Sequence, residues 1–205
     1  MIDFIEVYSD TLSHQKCEAI INHINSQNLE PGKVGIVGDE HKVVSSAKDA
    51  WQVVDTLFSN NSFVEEYLLE SLLPFTQKYV KKHPQIDLID PWELNNEYNL
   101  QKYDPGQCYH ALHCENGFYG SPRMLVWMIY LNTITEGGGT YFDNYDRTLD
   151  AVEGTLVIWP AYWTHTHRGV VSHTQTKYIA TGWYSFMPKD KRGPYLSKER
   201  EENLD

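Results

Sequence analysis

A histidine and a glutamate stand two positions apart near the middle of the chain, as His113 and Glu115 at the end of the segment 103–115. In an extended strand, side chains two positions apart point to the same face. The imidazole and the carboxylate would therefore reach the same point in space and could serve as two ligands of one metal ion. Two ligands do not fix a reactive metal, so the pattern predicts a third ligand from a distant part of the chain.

The best candidate for that third ligand is His167, within the segment 159–169, Trp-Pro-Ala-Tyr-Trp-Thr-His-Thr-His-Arg-Gly. His165 is the alternative, because the two histidines of this segment are also two positions apart. Two histidines and one carboxylate on one face, with the other positions open, form the arrangement used by non-haem Fe(II) sites. Lys177 follows ten residues after His167 and opens a strand-like run. A buried cation near such a metal would suit a dicarboxylate ligand.

Three other residues of metal-binding type lie near these segments, and none of them is predicted to be a ligand. His110 and His173 are predicted to be structural or surface residues. Cys114 would point away from the metal if the strand around it is regular, so it is predicted to lie in the core.

Composition and charge are those of an ordinary soluble protein. The chain has 205 residues, 41% of them hydrophobic and 22% charged, which is enough for one domain with a sizeable core. The net charge of −11 argues against nucleic acid as a partner, because phosphate binding needs a basic surface. Three cysteines without framework spacing indicate a reducing compartment. With no signal peptide and no long apolar run visible, the chain is expected to be cytoplasmic and not bound to a membrane.

The beginning of the chain predicts a strand, a helix and a loop. The strand is expected at 3–8, and the helix starts after the capping residues 9–13 and ends near Ser26. Residues 29–50 contain glycine and proline breakers, and they are expected to form either a lid or a surface loop.

A second helix is expected over 62–82, with Asn61 and Ser62 as candidates for its cap. Its apolar positions repeat at helical spacing, so the helix should pack on the core. Pro74 lies inside this span and cannot donate a backbone hydrogen bond. The helix is therefore expected to be kinked, or split near Leu73.

From Glu93 onward the pattern changes to short strands separated by turns, which is typical of a β-barrel or sandwich. The strand at 124–131 is apolar throughout, so it is expected to be buried on both faces. Further strands are expected at 96–103, 109–115, 140–142, 155–159 and 177–186. An α-rich N-terminal part packed outside a β-rich C-terminal part fits this pattern.

The whole chain, 1–205, is accordingly expected to be a single domain. Residues 1–92 would form a helical N-terminal support, and residues 93–187 would form the β core. Residues 188–205 are mostly charged and are expected to be a peripheral tail.

The chain from about residue 94 to residue 186 resembles the prolyl 4-hydroxylase branch of the Fe(II)/2-oxoglutarate dioxygenases. That branch reads Tyr-x-x-Gly-x-x-Tyr-x-x-His-x-Asp, and the corresponding residues here are Tyr103, Gly106, Tyr109, His113 and Glu115. The chain departs from the pattern twice, by one extra residue before the histidine and by a glutamate in place of the aspartate.

The later motifs of that branch follow in the same order. It continues with an arginine, an apolar strand, Tyr-Leu-Asn and a Gly-Gly-x-Thr-x-Phe turn, and then with a histidine, a basic residue ten positions on, and a tryptophan. The corresponding residues here are Arg123, 124–129, 130–132, 137–142, His167, Lys177 and Trp183. Several motifs in the right order make the resemblance specific, unlike any one of them alone.

The resemblance implies a fold and a metal site. The fold would be α+β and mainly β, with a double-stranded β-helix core of the jelly-roll or cupin type and N-terminal helices packed outside. The iron ligands would be His113, Glu115 and His167. The substrate would meet Arg123 and Trp183 at the mouth of the barrel.

The resemblance also implies a site for 2-oxoglutarate. Lys177 would pair with the distal carboxylate of this cosubstrate as a point charge. Tyr103 and Tyr130 would donate hydrogen bonds to the same molecule. Strand alternation from Lys177 adds Thr181 as a further polar neighbour.

The implied activity uses Fe(2+), 2-oxoglutarate and O2, with ascorbate as a reductant. A prolyl residue in a peptide or protein would be hydroxylated while 2-oxoglutarate is decarboxylated to succinate and CO2. The partner would then be a peptide or protein substrate, and the loops 29–50 and 143–150 would determine its choice.

Several alternatives stay open from the sequence. The same chemistry could act on another amino acid side chain or on a small molecule, whereas repair of nucleic acid conflicts with the acidic charge. A halogenase is disfavoured, because such enzymes lack the carboxylate ligand. A catalytically silent binding module is the alternative outside the enzymes, and Glu115 is its main support.

Overall fold

The structure, a computed structural model, describes residues 2–36, 40–58, 62–116 and 121–187. The helices of these residues are α1 (His14–Ser26) and α2 (Phe63–Lys82). Their strands are β1 (Glu6–Tyr8), β2 (Glu30–Pro31), β3 (Val34–Ile36), β4 (Glu40–Lys42), β5 (Trp51–Thr56), β6 (Trp92–Tyr103), β7 (Arg123–Tyr130), β8 (Thr140–Phe142), β9 (Arg147–Leu149), β10 (Leu156–Pro160), β11 (His167–Gly169) and β12 (Lys177–Phe186). The short 3₁₀ helices are Pro84–Leu88, Asp143–Tyr145 and Trp163–His165.

Serine caps begin both helices, as the sequence predicts. The side chain of Ser13 accepts a hydrogen bond from the backbone N–H of Lys16, and that of Ser62 accepts one from Glu65 at 3.1 Å. Each cap satisfies a backbone donor that the first turn leaves free. Neither helix of the described ranges is both long enough and apolar enough to cross a membrane.

Helix α2 runs without interruption through Pro74, so it is not split near Leu73. Proline removes the hydrogen bond to the carbonyl of Glu70. Both Leu73 and Pro74 lie on the exposed side of the helix, where water can reach the freed carbonyl. The apolar side of the helix keeps its contacts with the core, and these hold the helix together across the proline.

Two antiparallel sheets build the β part of the fold. The large sheet has the strand order β1-β10-β7-β12-β6-β5-β2, and the small sheet has the order β11-β8-β9. Strands β3 and β4 form a separate hairpin. The inner core, an apolar cluster with residues from both sheets, fills the space between them. The outer core packs the other face of the large sheet against both helices. These layers are the mainly β, jelly-roll architecture expected from the sequence, with helices outside.

Strand β7 contributes to both cores, which confirms that the run 124–131 is buried on both faces. Its side chains alternate between the two sides of the sheet. The residues that face the outer core are Leu125, Trp127 and Ile129. The residues that face the inner core are Val126, Met128 and Tyr130.

The N-terminal part supplies strands as well as helices. No strand is predicted at Trp51–Thr56, yet this segment pairs with β6 along its whole length as β5. The segment has a polar face and an exposed Val54, so its alternation of apolar and polar residues is too weak to predict a strand. The pairing with β6 makes it a strand. Strand β1 also joins the large sheet, beside β10. The sheet therefore does not begin at residue 93.

Residues 29–50 are more regular than a simple loop. They contain β2 and the β3–β4 hairpin. After the hairpin, Lys48 forms an antiparallel β-bridge with Tyr109. The backbone N–H groups of His110 and Ala111 both donate to the carbonyl of Ala47, at 2.7 and 3.0 Å. This end of the segment is therefore fixed against the residues that lead to His113.

Candidate metal centre

The backbone brings the two histidines together. His113 and His167 exchange two hydrogen bonds, each N–H donating to the other carbonyl, at 3.0 and 2.9 Å. In such a bonded antiparallel pair the two side chains stand on the same face. Their ring centroids are 4.4 Å apart. Strand β11, which begins at His167, is held in place by its pairing with β8.

Glu115 completes a cluster of three possible metal ligands. Its Oε1 lies 3.2 Å from Nε2 of His167 and 3.9 Å from Nε2 of His113. One donor atom from each of the three residues lies within 4.8 Å of the other two. The strand expected at 109–115 is wrong: the chain has isolated bridges at Tyr109 and His113 and then bends at Glu115 and Asn116. The bend is fixed by the backbone N–H of Asn116, which donates to the carbonyl of Ala161 at 2.9 Å.

The hydrogen bonds around the histidines orient them for a cation. Nδ1 of His113 donates to the carbonyl of Ala111, and Nδ1 of His167 donates to that of His165, both at 2.9 Å. Each Nε2 therefore presents its lone pair towards Glu115. The second carboxylate oxygen, Oε2, is buried without a hydrogen-bond partner. Lone pairs and a carboxylate that meet in a buried space repel each other unless a cation lies between them, so this donor set fits a divalent transition metal.

The protonation of the cluster suits metal binding. Burial, with the neighbouring His167, lowers the pKa of His113 to about 4. Burial opposes the charge of Glu115, but the two histidines outweigh it and the pKa of the carboxyl stays below its ordinary value. Burial also opposes a charge on His167, but Glu115 outweighs it and raises the pKa of that ring. Glu115 thus favours a proton on His167, and a metal ion at this centre would compete with that proton for the ring nitrogen.

His165 is turned away from this cluster. Its Nε2 lies 2.7 Å from the carbonyl of Asp3 and 3.2 Å from the hydroxyl of Tyr145, and its Nδ1 is hydrogen-bonded to Thr164. The 3₁₀ helix that ends at His165 breaks the alternation that would put both histidines on one face. Of the two candidates for the third donor, the structure thus brings His167 to Glu115.

The other residues of metal-binding type also lie outside the cluster. His110 and His173 are exposed. Cys114 is only half-buried, so the prediction that it lies in the core is wrong. That prediction assumed a regular strand, whereas the strand-like pairing here stops at His113.

Lys177 lies deep in the same barrel. The residue is 6% exposed, and its Nζ lies 4.7 Å from the ring centroid of Tyr103, its pairing partner on β6. Burial lowers the pKa of Lys177 to about 8, with Cys108 acting in the opposite direction. Among the described residues no carboxylate forms an ion pair with it. An ammonium group buried in this way is a strong site for an anion.

The three other residues expected at the cosubstrate make hydrogen bonds within the barrel wall. The hydroxyl of Tyr103 donates to Oε1 of Gln101 at 2.6 Å, and that of Tyr130 is hydrogen-bonded to Thr140 at 2.7 Å. Both tyrosine rings belong to the inner core. Thr181 donates its hydroxyl proton to a backbone carbonyl of β7 at 2.9 Å, so this proton is not directed at a ligand.

Arg123 and Trp183 form a stacked pair beside the centre. The guanidinium carbon lies 3.5 Å from the centroid of the indole ring. Burial lowers the pKa of Arg123, and the charge of Glu115 opposes this shift. The two predicted substrate residues therefore lie together, with the guanidinium close enough to Glu115 to interact with it.

A second buried lysine, Lys48, has no signal in the sequence. It lies at the end of the segment expected to be a lid or loop, and its Nζ donates to Oε1 of Gln52 at 2.7 Å. It also lies 5.6 Å from the ring centroid of Tyr109, whose ring stacks on that of His113 at 3.5 Å. The motif spacing points to Tyr109, but neither Lys48 nor Gln52 belongs to a motif, and only the path of the chain brings them here.

Replacing Lys48 by methionine is expected to stabilise the free protein, by roughly 2–3 kcal/mol at neutral pH. Burial lowers the pKa of Lys48 from 10.5 to about 8, so between these pH values the unfolded chain binds more protons than the folded chain. The stability of the wild type should therefore rise by roughly 1.4 kcal/mol per pH unit in this window. The advantage of the variant is full below pH 8 and shrinks above it.

Urea unfolding of both proteins at pH 7, 8.5 and 9.5 measures this difference. Lys33→Met, which removes an exposed lysine paired with Glu30, is the control and should show no such trend. An advantage of Lys48→Met that stays constant across the three pH values would contradict the expected linkage.

Comparison with known protein families identifies the kind of centre this is. Residues 98–185 match the model of the 2OG-Fe(II) oxygenase superfamily. The matched segment contains His113, Glu115, His167 and Lys177. No curated protein matches the chain significantly in sequence.

Solved structures with the same fold include prolyl hydroxylases. A viral collagen prolyl hydroxylase from Paramecium bursaria Chlorella virus-1, in its 2OG complex, is 18% identical with a TM-score of 0.64, over 90% of this chain and 97% of that chain. A prolyl-4-hydroxylase from Pseudomonas putida is 14% identical with a TM-score of 0.67, over 91% and 94%. A prolyl hydroxylase from Trichoplax adhaerens, in complex with a hypoxia inducible factor oxygen degradation domain peptide fragment, is 13% identical with a TM-score of 0.71, over 90% and 84%.

At these identities the solved structures establish a shared fold, and the family match applies to residues 98–185. The described residues of this segment add a cluster of two histidines and one glutamate that fits a ferrous ion. Residues 98–185 are therefore a 2OG-Fe(II) oxygenase domain, of the kind that uses Fe(2+), 2-oxoglutarate and O2, in a fold shared with prolyl hydroxylases.

Proposed function

We propose that the protein hydroxylates a prolyl residue in a peptide or protein, with His113, Glu115 and His167 as the ligands of its iron. The observation that carries this proposal is the convergence of three donors, of which His167 is buried and Glu115 has a buried oxygen without a partner, in the barrel that also buries Lys177. When bound, the iron supplies the activation of O2, and 2-oxoglutarate supplies the electrons as it is converted to succinate and CO2.

Lys177 binds the distal carboxylate of 2-oxoglutarate in this proposal. Its ammonium is desolvated and lacks a carboxylate partner among the described residues, so an incoming carboxylate gains most of the interaction that water would otherwise screen. Tyr130, which lines the same interior, is a hydrogen-bond partner for the cosubstrate, whereas Tyr103 donates its proton to Gln101 and places its ring beside the ammonium of Lys177. Thr181 takes part only as a neighbour of the pocket, since its proton is donated to the strand.

Aromatic side chains hold the metal-binding ring of His167 in place. Its ring centroid lies 5.4 Å from that of Phe142 and 5.1 Å from that of Trp159. Phe142 and Trp159 also contact each other edge to face. These buried rings exclude water from the donors and restrict the rotation of the imidazole, which keeps the site ready for the metal.

A peptide substrate is supported by the relatives and by the mouth of the site. The Trichoplax adhaerens structure is that of a prolyl hydroxylase with a peptide. In this chain the stacked Arg123 and Trp183 lie beside Glu115, where a guanidinium can donate to peptide carbonyls and an indole edge can contact an apolar ring.

Incubation with a peptide library, read by mass spectrometry, tests the substrate class. The protein is loaded anaerobically with Fe(II) and 2-oxoglutarate, and air is then admitted with and without ascorbate. We expect a gain of one oxygen on prolyl residues, equimolar succinate, and a longer active lifetime when ascorbate is present.

Two variants make the result specific to the site. His167→Ala should remove hydroxylation, whereas His173→Ala, which changes an exposed histidine, should not. Oxygen found on a residue type other than proline, or succinate formed without any peptide product, would contradict the prolyl substrate while leaving the dioxygenase chemistry intact.

A further inference from the structure

The proposed reaction leaves the buried ammonium of Lys48 without a role. The residue is 5% exposed, and its hydrogen-bond partner is the neutral amide of Gln52. Among the described residues no carboxylate forms an ion pair with it. A buried ammonium without a counter-charge is unfavourable, as its lowered pKa also indicates, so a reason for its presence is needed.

The backbone directs Lys48 into the barrel. Lys48 forms a β-bridge with Tyr109, and the N–H of the following residue, Asp49, donates to the carbonyl of Cys108 at 2.9 Å. Ala50, two residues on, belongs to the inner core. Opposite this chain, Gly32 leaves room for the lysine stem, since an added Cβ there would lie 2.9 Å from Cε of Lys48. Several independent contacts therefore place the ammonium group of Lys48 inside the barrel.

Lys48 and Lys177 form separate sites. Lys177 is on β12 and lies over the ring of Tyr103, whereas Lys48 is bonded to Gln52 on β5, on the far side of β6. Burial lowers the pKa of both lysines, and Cys108 opposes this shift at Lys177 only. Each lysine thus has its own neighbour in the barrel wall, Tyr103 for Lys177 and Gln52 for Lys48.

The charges that the reaction brings together do not include a partner for Lys48. A ferrous ion and the ammonium of Lys177 carry three positive charges, and Glu115 and the 2-oxoglutarate dianion carry three negative charges, so these four groups cancel. These four groups are neutral together, so the charges of Arg123 and Lys48 are left over, and Lys48 is the one that is fully buried. The substrate is the remaining component that could supply a negative charge.

Amide groups beside Lys48 complete a site for a carboxylate. Gln52 and Gln101 are buried and face each other across β5 and β6. Their amide oxygens accept from Lys48 and Tyr103, which leaves the Nε2 groups as donors towards an anion. We propose that Lys48, with Gln52 and Gln101, binds a carboxylate of the substrate close to the residue that is hydroxylated. This proposal rests on the proposed function, because it names the class of peptide that the same site would accept.

Pairs of peptides that differ only in one charge test this site. Each pair holds a central proline and carries aspartate or asparagine at one flanking position, or a free or amidated C-terminus. Binding is measured by calorimetry on the protein loaded with Mn(II) and 2-oxoglutarate, so that no turnover is involved. For at least one pair, the acidic peptide should bind the wild type about tenfold more tightly or better, as is typical for a hydrogen bond to a charged group.

Variants at the lysine connect that preference to the site. Lys48→Met should reduce the acidic preference to less than about threefold, and Lys48→Arg, which keeps the charge, should retain most of it. Lys33→Met is the matched control and should behave as the wild type. Thermal unfolding of each variant shows whether it folds. If Lys48→Met does not fold, the test uses Lys48→Arg, and the quantity compared with the wild type is the ratio of its affinities for the acidic and the amide peptide.

Two outcomes overturn the proposal. The first is equal binding of acidic and amide peptides at every position of the wild type. The second is a loss of 2-oxoglutarate affinity in Lys48→Met with the peptide preference unchanged, which would make Lys48 a residue of the cosubstrate site.

The failure of the proposed function would look different. The binding of a second series of pairs without proline is measured in the same way, and both series are then incubated with the Fe(II) protein, 2-oxoglutarate and air to measure hydroxylation by mass spectrometry. If acidic peptides bind through Lys48 but only peptides without proline are hydroxylated, the carboxylate site stands and the prolyl substrate is wrong. If prolyl peptides are hydroxylated without any preference that depends on Lys48, the prolyl substrate stands and the carboxylate site is wrong.

Discussion

Replacing Lys177 by alanine is expected to weaken the binding of 2-oxoglutarate by a factor of roughly 10² to 10⁴, while iron binding persists. The ammonium lies in the barrel interior without an ion pair among the described residues, so the distal carboxylate of the cosubstrate would lose its one strong partner. Removing one member of a buried pair leaves the other charge uncompensated and costs about 3–5 kcal/mol. The loss should appear in affinity for 2-oxoglutarate and not in affinity for the peptide.

An anaerobic titration of the Fe(II) protein with 2-oxoglutarate measures this effect, through the weak visible charge-transfer band of the chelate. Iron binding is measured separately by metal analysis after dialysis. Lys102→Ala, which removes a lysine that pairs with Asp104 near the protein surface, is the control. An unchanged dissociation constant for 2-oxoglutarate would show that the cosubstrate is anchored elsewhere, with Lys48 as the next candidate.

Replacing Glu115 by alanine is expected to abolish hydroxylation. The carboxylate faces both Nε2 atoms, and its second oxygen is buried without a partner, so the side chain has no role in the fold that would explain this position. Loss of residues that only orient a ligand already weakens metal binding by 10- to 100-fold, so the loss of a ligand should weaken iron binding by at least about 100-fold.

Glu115→Asp separates the charge of this residue from its length. The shorter side chain keeps the charge but withdraws it by one C–C bond, about 1.5 Å, which exceeds the roughly 0.5 Å within which active sites are held. Because the chain bends at this glutamate, we expect the aspartate to reach the metal poorly and to give activity between that of alanine and wild type.

Succinate formation and bound iron per protein are the measurements for both variants, and Glu18→Ala on the exposed side of α1 is the control. Turnover by Glu115→Ala at the wild-type rate would remove the glutamate from the ligand set. It would also show that the two histidines suffice to hold the metal.

Local patterns in the sequence determined much of the fold. The serine caps, the apolar stripe of α2 and the alternation along β7 are visible without any structure, because each depends on residues only a few positions apart. The pairing of His113 with Glu115 is of the same kind, since two residues separated by one position stay close in any extended chain. The spacing from His167 to Lys177 is also local, and it places both on neighbouring stretches of the barrel.

Other features depend on how distant segments meet. The choice between His165 and His167 was open in the sequence, and it is decided by a 3₁₀ turn together with the backbone bonds from His167 to His113. Strand β5 has too weak a pattern to be predicted, and it exists because β6 offers it hydrogen bonds along its length.

The sequence alone therefore predicts which segments carry the candidate metal ligands. The tertiary structure decides which other side chains are buried inside the barrel. Lys48 is one of many lysines in the sequence, and nothing within a few residues of it marks it as buried. Its side chain lies beside the metal centre because Lys48 forms a β-bridge with Tyr109 and because Gly32, on the neighbouring stretch of chain, leaves room for the lysine stem. Periodicity acts over a single turn or strand, whereas the burial of a charge depends on every segment that closes around it.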